Sequence, residues 1–125
     1  MDPFFSTHLL PVRRGILASV YAELNSGADV GAAYAAAFAG YPLARVTRLD
    51  GGPDQDLSPA LSLSLKRVVG SARVHLGYQV SGSKLYVFSL IDNLLKGAAS
   101  QAVENFNALY DYPVALGLEA LEGTL

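Results

Sequence analysis

Apolar and polar residues alternate in several short stretches of the chain, and this period of two predicts β-strands. Strands are predicted at residues 15–24, 43–49, 73–80 and 84–91, with a tight Ser-Gly-Ser hairpin between the last two. Residues 60–69 also alternate, between leucine and serine or lysine, and form either a half-buried strand or an extended segment. Both sides of the first strand are apolar, which together with unpaired sheet edges predicts self-association.

Two helices are predicted from composition and from apolar positions at helical spacing. The first covers residues 30–39, with Asp29 as its N-cap and Gly40 at its C-terminal end. These elements predict an α+β fold in which a mostly antiparallel or mixed sheet carries helices on one face. The second helix covers residues 93–109, and its apolar face consists of Ala98, Ala99, Ala102, Val103 and Phe106.

The composition limits the classes of partner. The chain has 125 residues, enough for one domain, and 51% of them are hydrophobic while only 16% are charged. That balance predicts surface that is buried against another body. A net charge of −2 provides no basic footprint for nucleic acid, and no apolar run has the length of a membrane span. The first residues do not have the pattern of a signal peptide, so a cytoplasmic location is expected.

Patterns typical of catalytic and metal sites are absent from the sequence. There is no cysteine, and therefore no thiolate nucleophile, and no Gly-x-Gly-x-x-Gly loop follows a strand. His8 and His75 have no acidic residue at metal-ligand spacing, so a structural or surface role is expected for each. Asp54 and Asp56 lie in a Gly/Pro loop with too few carboxylates for a calcium site. We therefore predict no catalytic residue and no metal site in this chain.

Two polar clusters remain as candidate binding residues, and each has two interpretations. Arg13 and Arg14 precede the first strand, where they are either an anion contact or a solvated pair. Asp92 and Asn93 precede the last helix, where they either cap it or contact a ligand. Gly97 lies one turn into that helix at a cost of up to about 1 kcal/mol relative to alanine. Close approach of another backbone or of a cofactor would explain that cost.

Two longer motifs stand in order along the chain. Residues 7–21 read Thr-His-Leu-Leu-Pro-Val-Arg-Arg-Gly-Ile-Leu-Ala-Ser-Val-Tyr, and residues 91–107 read Ile-Asp-Asn-Leu-Leu-Lys-Gly-Ala-Ala-Ser-Gln-Ala-Val-Glu-Asn-Phe-Asn. The first resembles the His-Leu-x-Pro-x-x-Arg-Gly-Ile-Leu-Ala-Thr-Val-Tyr segment of the N-acetyl-gamma-glutamyl-phosphate reductases. The second resembles their C-terminal helix, which lies against the NADP-binding domain in that family. The closely related LysW-aminoadipate phosphate reductases share the likeness.

The resemblance implies the dimerisation and substrate domain of a semialdehyde dehydrogenase-like reductase of arginine or lysine biosynthesis. Such an enzyme reduces an acyl phosphate to an aldehyde with NADPH, through a thioester on a cysteine that this chain lacks. It also implies that Arg14 binds substrate and that Asn93, Lys96 and Gly97 bind the cofactor, although NADP is not expected to bind this chain alone. The implied partners are a second copy of the chain and a nucleotide-binding domain.

Several functional alternatives stay open. Residues 1–125 are expected to be a C-terminal portion that forms a subunit interface and completes an active site, and to be inactive alone. The chain could instead be a self-standing, non-catalytic binding module or one half of a split reductase. Ala72 and Val74 stand where the family commonly has Asn and Cys, which leaves the choice between a glutamyl and an aminoadipyl phosphate open.

Overall fold

A four-stranded sheet lies at the centre of the protein in the computed structural model, which describes residues 7–50 and 63–119. The strands are β1 (Ile16–Glu23), β2 (Ala44–Arg48), β3 (Val74–Ser81) and β4 (Lys84–Ile91). Their order across the sheet is β1-β4-β3-β2, with β1 and β4 antiparallel, β3 and β4 antiparallel, and β2 and β3 parallel. The sheet is therefore mixed, as the sequence predicts, and β1 and β2 are its outer strands.

Two helices pack on one face of this sheet. Helix α1 (Val30–Ala37) rests on β3 through Tyr34, whose ring centroid lies 5.4 Å from that of Tyr78. Helix α2 (Ser100–Leu109) continues from a π-helical turn, Leu95–Ala99, that lies beside Ile91. The register places Tyr78 and Ile91 on the same face of the sheet. Both helices thus cover one face, and the predicted α+β fold is confirmed.

A small cluster of buried side chains joins the start of β2 to the segment that follows α2. Leu43, which precedes β2, is fully buried with Ala72, Ala115 and Leu118. Tyr41 packs against the same cluster and is partly buried. This cluster holds the segment after α2 against the start of β2, and it thereby fixes the direction of α2. In the part of the chain that the structure describes, the helices are all too short or too polar to be candidate membrane spans.

The stretch 60–69 differs from its prediction. Residues 60–62 lie outside the described ranges, and Leu65–Arg67 form a 3₁₀ helix, so a strand is wrong there. The leucines alternate because they pack in turn on two glycines of the sheet. The side chain of Leu65 lies over Gly15, and that of Leu63 lies over Gly77. Without side chains at these glycines, the turn rests directly on the sheet.

Candidate functional site

The centre of the candidate site is the carboxylate of Asp92, which directly follows β4 and has no exposed surface. One oxygen accepts hydrogen bonds from the backbone N–H groups of Leu94 and Leu95, at 2.9 and 3.2 Å. The other oxygen accepts the N–H of Gly70 at 2.7 Å and pairs with the guanidinium of Arg14 at 2.8 Å. Asp92 therefore caps the last helix and also ties the entrance of β1 to the turn before β3.

The environment of Asp92 keeps it ionised. Burial by itself raises the pKa of this carboxyl group. The three backbone N–H groups and the positive charge of Arg14 outweigh burial, so the pKa lies below its usual value. A carboxylate that is charged at neutral pH thus holds the Arg14 side chain, which remains 27% exposed. Arg14 is consequently a fixed cation at the surface and not a freely solvated one.

Asn93 stands next to Arg14 in space as well as beside Asp92 in sequence. Its side-chain oxygen accepts the N–H of Gly15 at 2.7 Å, which links the start of the last helix to the start of β1. That bond orients the amide, and the amide nitrogen of Asn93 makes no hydrogen bond among the described residues. Arg14 and Asn93 therefore present hydrogen-bond donors from two neighbouring elements. A ligand with oxygen acceptors fits this arrangement.

Lys96 is held inside the protein by a second polar cluster. Its ammonium lies 2.8 and 2.9 Å from the two carboxylate oxygens of Glu104 and 2.9 Å from the side-chain oxygen of Gln101. The Tyr41 hydroxyl accepts a hydrogen bond from Lys96 and donates one to Glu104, each at 2.5 Å. The donors of Lys96 are thus used within the chain, and its charge is balanced by Glu104.

Gly97 has room for a side chain. A Cβ there would meet Ile91, the nearest neighbour in the described part of the chain, at 3.5 Å, which is an ordinary van der Waals contact. Nothing in the described part of the chain therefore requires glycine at this position, and an approaching partner is compatible with it. Gly97 lies in the π-helical turn, a geometry that is frequent at functional sites.

Helix α2 buries its polar side and exposes its apolar side. The apolar face that the sequence predicts lies at the surface, with Phe106 exposed by 53% and Val103 by 40%. The ring of Phe106 contacts those of Tyr110 and Tyr112, which are also exposed. Such a surface is typical of a helix that packs against another body. The buried residues of α2 are Ser100, Glu104 and Asn107.

The structure brings the predicted site residues to one end of the sheet. Arg14, Asn93 and Gly97 surround the end of β4, while Lys96 points to Glu104. Sequence reasoning missed Tyr41, Gln101 and Glu104, because nothing in the local pattern pairs a loop tyrosine with a distant helix. The described residues contain no group of three His, Cys, Asp or Glu side chains that could hold a metal ion.

Comparison with protein families identifies a match over most of the chain. A family model described as semialdehyde dehydrogenase, dimerisation domain, matches residues 1–93. This range includes the whole sheet, Arg14, Asp92 and Asn93. It ends before the π-helical turn and α2.

Curated relatives match nearly the full chain. An N-acetyl-gamma-glutamyl-phosphate reductase of Geobacillus kaustophilus is 38% identical over 127 residues, which cover 97% of this chain and 34% of the relative. A reductase of the same name from Idiomarina loihiensis is 43% identical and covers 99% of this chain and 32% of the relative. N-acetyl-gamma-glutamyl-phosphate reductase 2 of Lactiplantibacillus plantarum is 39% identical, and the match covers 94% of this chain and 33% of the relative. The chain spans about a third of the length of these relatives and matches their C-terminal part.

Proposed function

The chain belongs to the family of the semialdehyde dehydrogenase dimerisation domain, and from that premise we propose that it forms the subunit interface and completes the active site of an acyl-phosphate reductase. The proposed substrate is N-acetyl-gamma-glutamyl phosphate, after the name of the relatives. NADPH, when bound in the complete enzyme, would supply the hydride that takes the place of the phosphate at the acyl carbon. With one proton taken up, the products are the semialdehyde, NADP⁺ and inorganic phosphate. The proposal keeps the cytoplasmic location expected from the sequence.

In this proposal Arg14 binds the substrate. Its guanidinium is fixed by the buried carboxylate of Asp92 and has N–H groups beyond the one that faces Asp92. A guanidinium in a fixed orientation suits a carboxylate or phosphate oxygen, because its planar fork matches both anions. Asp92 is then a positioning residue, because it acts on the substrate only through Arg14.

NADP supplies the hydride when it is bound, and the residues at the π-helical turn fit part of such a cofactor. Asn93 offers a free amide N–H group, and Gly97 offers an exposed backbone without a side chain. These are neutral contacts, suited to a carboxamide or a ribose hydroxyl. Lys96 is already paired with Glu104, so we propose that it supports the turn rather than binding a phosphate directly.

The observation that carries the proposal is the outward-facing apolar side of α2. A helix that buries serine, glutamate and asparagine while it exposes Val103 and Phe106 is half of an interface. We propose that the other half is the nucleotide-binding domain that the relatives carry in the two thirds of their length that this chain does not match.

We expect no NADPH-dependent turnover from the purified chain, because it has no cysteine for the thioester step. Adding the N-terminal two thirds of a relative, made as a separate protein with its cysteine, should generate turnover of N-acetyl-gamma-glutamyl phosphate. The measurement is NADPH absorbance for each protein alone and for the mixture. Turnover by the chain alone, or a mixture as inactive as its parts, would contradict the proposal.

A variant in the π-helical turn that leads into α2 tests the proposed interface directly. Ala99 is exposed, so Ala99→Arg should leave the denaturation midpoint of the chain unchanged. The same change should abolish turnover in the mixture, because it places an unpaired charge in the proposed interface. Ala35→Arg, on the exposed surface of α1, is the matched control and should have no effect on either quantity.

Strand β1 supports self-association as the second part of the proposal. It is an outer strand, and apolar side chains on both of its faces are exposed, including Val20 by 55% and Tyr21 by 66%. A strand with exposed apolar side chains on both faces is typical of an interface between copies of the same chain. Such interfaces most often have closed twofold symmetry.

We expect the chain to sediment as a dimer at micromolar concentration. Val20→Lys should raise the dissociation constant by about tenfold or more, since a charge on an edge strand opposes pairing. Ala35→Lys is again the matched control. A monomeric wild-type chain in sedimentation equilibrium would exclude this part of the proposal, and an unaffected Val20→Lys dimer would exclude β1 as the interface.

A further inference from the structure

The positive charges of this acidic chain are concentrated at one end of the sheet. The chain has nine Lys and Arg residues, and all but Arg48 and Lys84 lie near the amino ends of β1, β2 and β3 or just after β4. Arg14 and Lys96 are neutralised there by Asp92 and Glu104. Arg45 and Arg67 have no carboxylate within salt-bridge distance among the described residues.

These two arginines flank a buried histidine on the sheet face that the helices leave uncovered. Arg45 on β2 is the direct cross-strand partner of His75 on β3. His75 is only 4% exposed, and its Nε2 lies 3.0 Å from the hydroxyl of Thr47, two residues after Arg45 on the same face. Arg67 belongs to the 3₁₀ helix whose neighbouring leucines rest on this face, and its charge acts on the His75 ring.

The charges of the two arginines act on the ring of His75. Burial lowers the pKa of His75, and the charges of Arg45 and Arg67 lower it further. Among the groups around this ring, the two guanidinium groups are the charges that act on it, and both repel a proton. Two exposed guanidinium groups beside a polar ring provide the positive charge and the hydrogen-bond donors that suit an anion.

We propose that Arg45, Arg67, His75 and Thr47 form a binding site for a tetrahedral dianion, such as the phosphate group of a small molecule. Two guanidinium groups match a double negative charge. Because neutral His75 and Thr47 bond to each other, the pair has one donor left for the base of the site, either the Thr47 hydroxyl or the Nδ1–H of His75. The inference goes beyond the proposed reductase function, because it concerns the sheet face opposite the helices and needs no second domain.

Sulfate is a suitable probe, since its double charge stays constant over the range in which histidine titrates. The chain has two histidines, so the NMR signal of the His75 ring can be followed with the exposed His8 as an internal reference. At constant ionic strength, sulfate should raise the pKa of His75 by about one unit, while the ring signals of His8 serve only as the reference. Acetate at equal ionic strength should have a clearly smaller effect.

Variants separate a binding site from a general salt effect. Without sulfate, Arg67→Gln should raise the pKa of His75, because one repelling charge is removed. With sulfate, it should reduce the response at His75, and Arg45→Gln should do the same. Arg48→Gln is the matched control, since Arg48 pairs with Asp50 at the other end of β2. An equal shift of both histidines, an equal effect of acetate, or an undiminished sulfate response in both variants would overturn the proposal.

Discussion

Replacement of Asp92 by alanine should destabilise the folded chain by about 3–5 kcal/mol, more than any substitution at an exposed acidic residue. The change leaves the N–H groups of Gly70, Leu94 and Leu95 without an acceptor and the guanidinium of Arg14 without its counter-charge. Each buried donor that loses its partner carries its own desolvation cost. Urea denaturation, followed by far-ultraviolet circular dichroism, measures the loss of unfolding free energy.

Asp50→Ala is the matched control for Asp92→Ala. Asp50 also pairs with an arginine, Arg48, but the pair lies at the surface, where solvent screens it. A loss in Asp92→Ala no larger than that in Asp50→Ala would show that the buried carboxylate does not hold this end of the sheet together.

The pH dependence of stability gives an independent check on Asp92. Its pKa is lowered in the folded state, so the unfolded chain binds the proton first as the pH falls. The contribution of Asp92 is therefore complete above the ordinary aspartate pKa of about 3.9 and is lost as the pH falls towards the lowered value. Asp92→Asn should be less stable than the wild type at neutral pH, and the difference should shrink over that acidic range. A constant difference would mean that hydrogen bonds alone, and not charge, account for the role of Asp92.

The sequence predicts the elements of this fold better than it predicts their contacts. Alternation locates all four strands, although β3 and β4 bury side chains within this chain while β1 is apolar and exposed on both faces. It fails at residues 65–67, where leucines alternate because they contact Gly15 and Gly77 and not because the backbone is extended. The spacing of apolar residues indicates which of them are buried, but it does not determine the backbone conformation. A strand and a 3₁₀ turn can bury the same pattern of residues.

Helix α2 shows a second limit of prediction from the sequence, which concerns the side of a helix that is buried. The apolar face is predicted correctly as a face, but the structure turns it outward and buries the polar side. The usual rule that the apolar side faces the core assumes that the core lies within the same chain. It does not hold for a helix whose apolar side packs on another domain, and the outward orientation is what supports that proposal here.

Some contacts of the candidate site could be predicted from the sequence, and others could not. The cap at Asp92 follows from local preference, and the structure contains it. The ion pair between Lys96 and Glu104 does not follow from local sequence preference. Residues eight apart on a regular helix differ by about 80° around its axis, so they are not expected to meet. The π-helical turn between them accommodates about one extra residue, which brings the two side chains to within about 20° of each other. Only the three-dimensional structure reveals that insertion.

Replacement of Lys96 by methionine should cost about 3–5 kcal/mol at neutral pH, because it leaves the charge of Glu104 buried without a counter-charge. Glu104 is 3% exposed, and Lys96 is the only cation paired with it among the described residues. The Tyr41 hydroxyl still donates to Glu104 in the variant, but a neutral donor does not replace an ammonium. Urea denaturation of Lys96→Met measures the cost, and Lys84→Met in the exposed hairpin, which should change little, is its control.

A double substitution tests whether the pair acts as a unit. Lys96→Met combined with Glu104→Leu removes both charges, so the double variant should be more stable than Lys96→Met alone, with a coupling free energy of at least about 1 kcal/mol. Additive losses would show that the two side chains act independently.

The result also decides what Lys96 does in the proposed reductase. If it binds a cofactor phosphate directly, Lys96→Met should retain the wild-type stability and lose NADPH affinity in the complemented enzyme. If it supports the π-helical turn, as the contacts with Glu104 and Tyr41 indicate, stability should fall first, and restoring the balance of charge with Glu104→Leu should recover part of it.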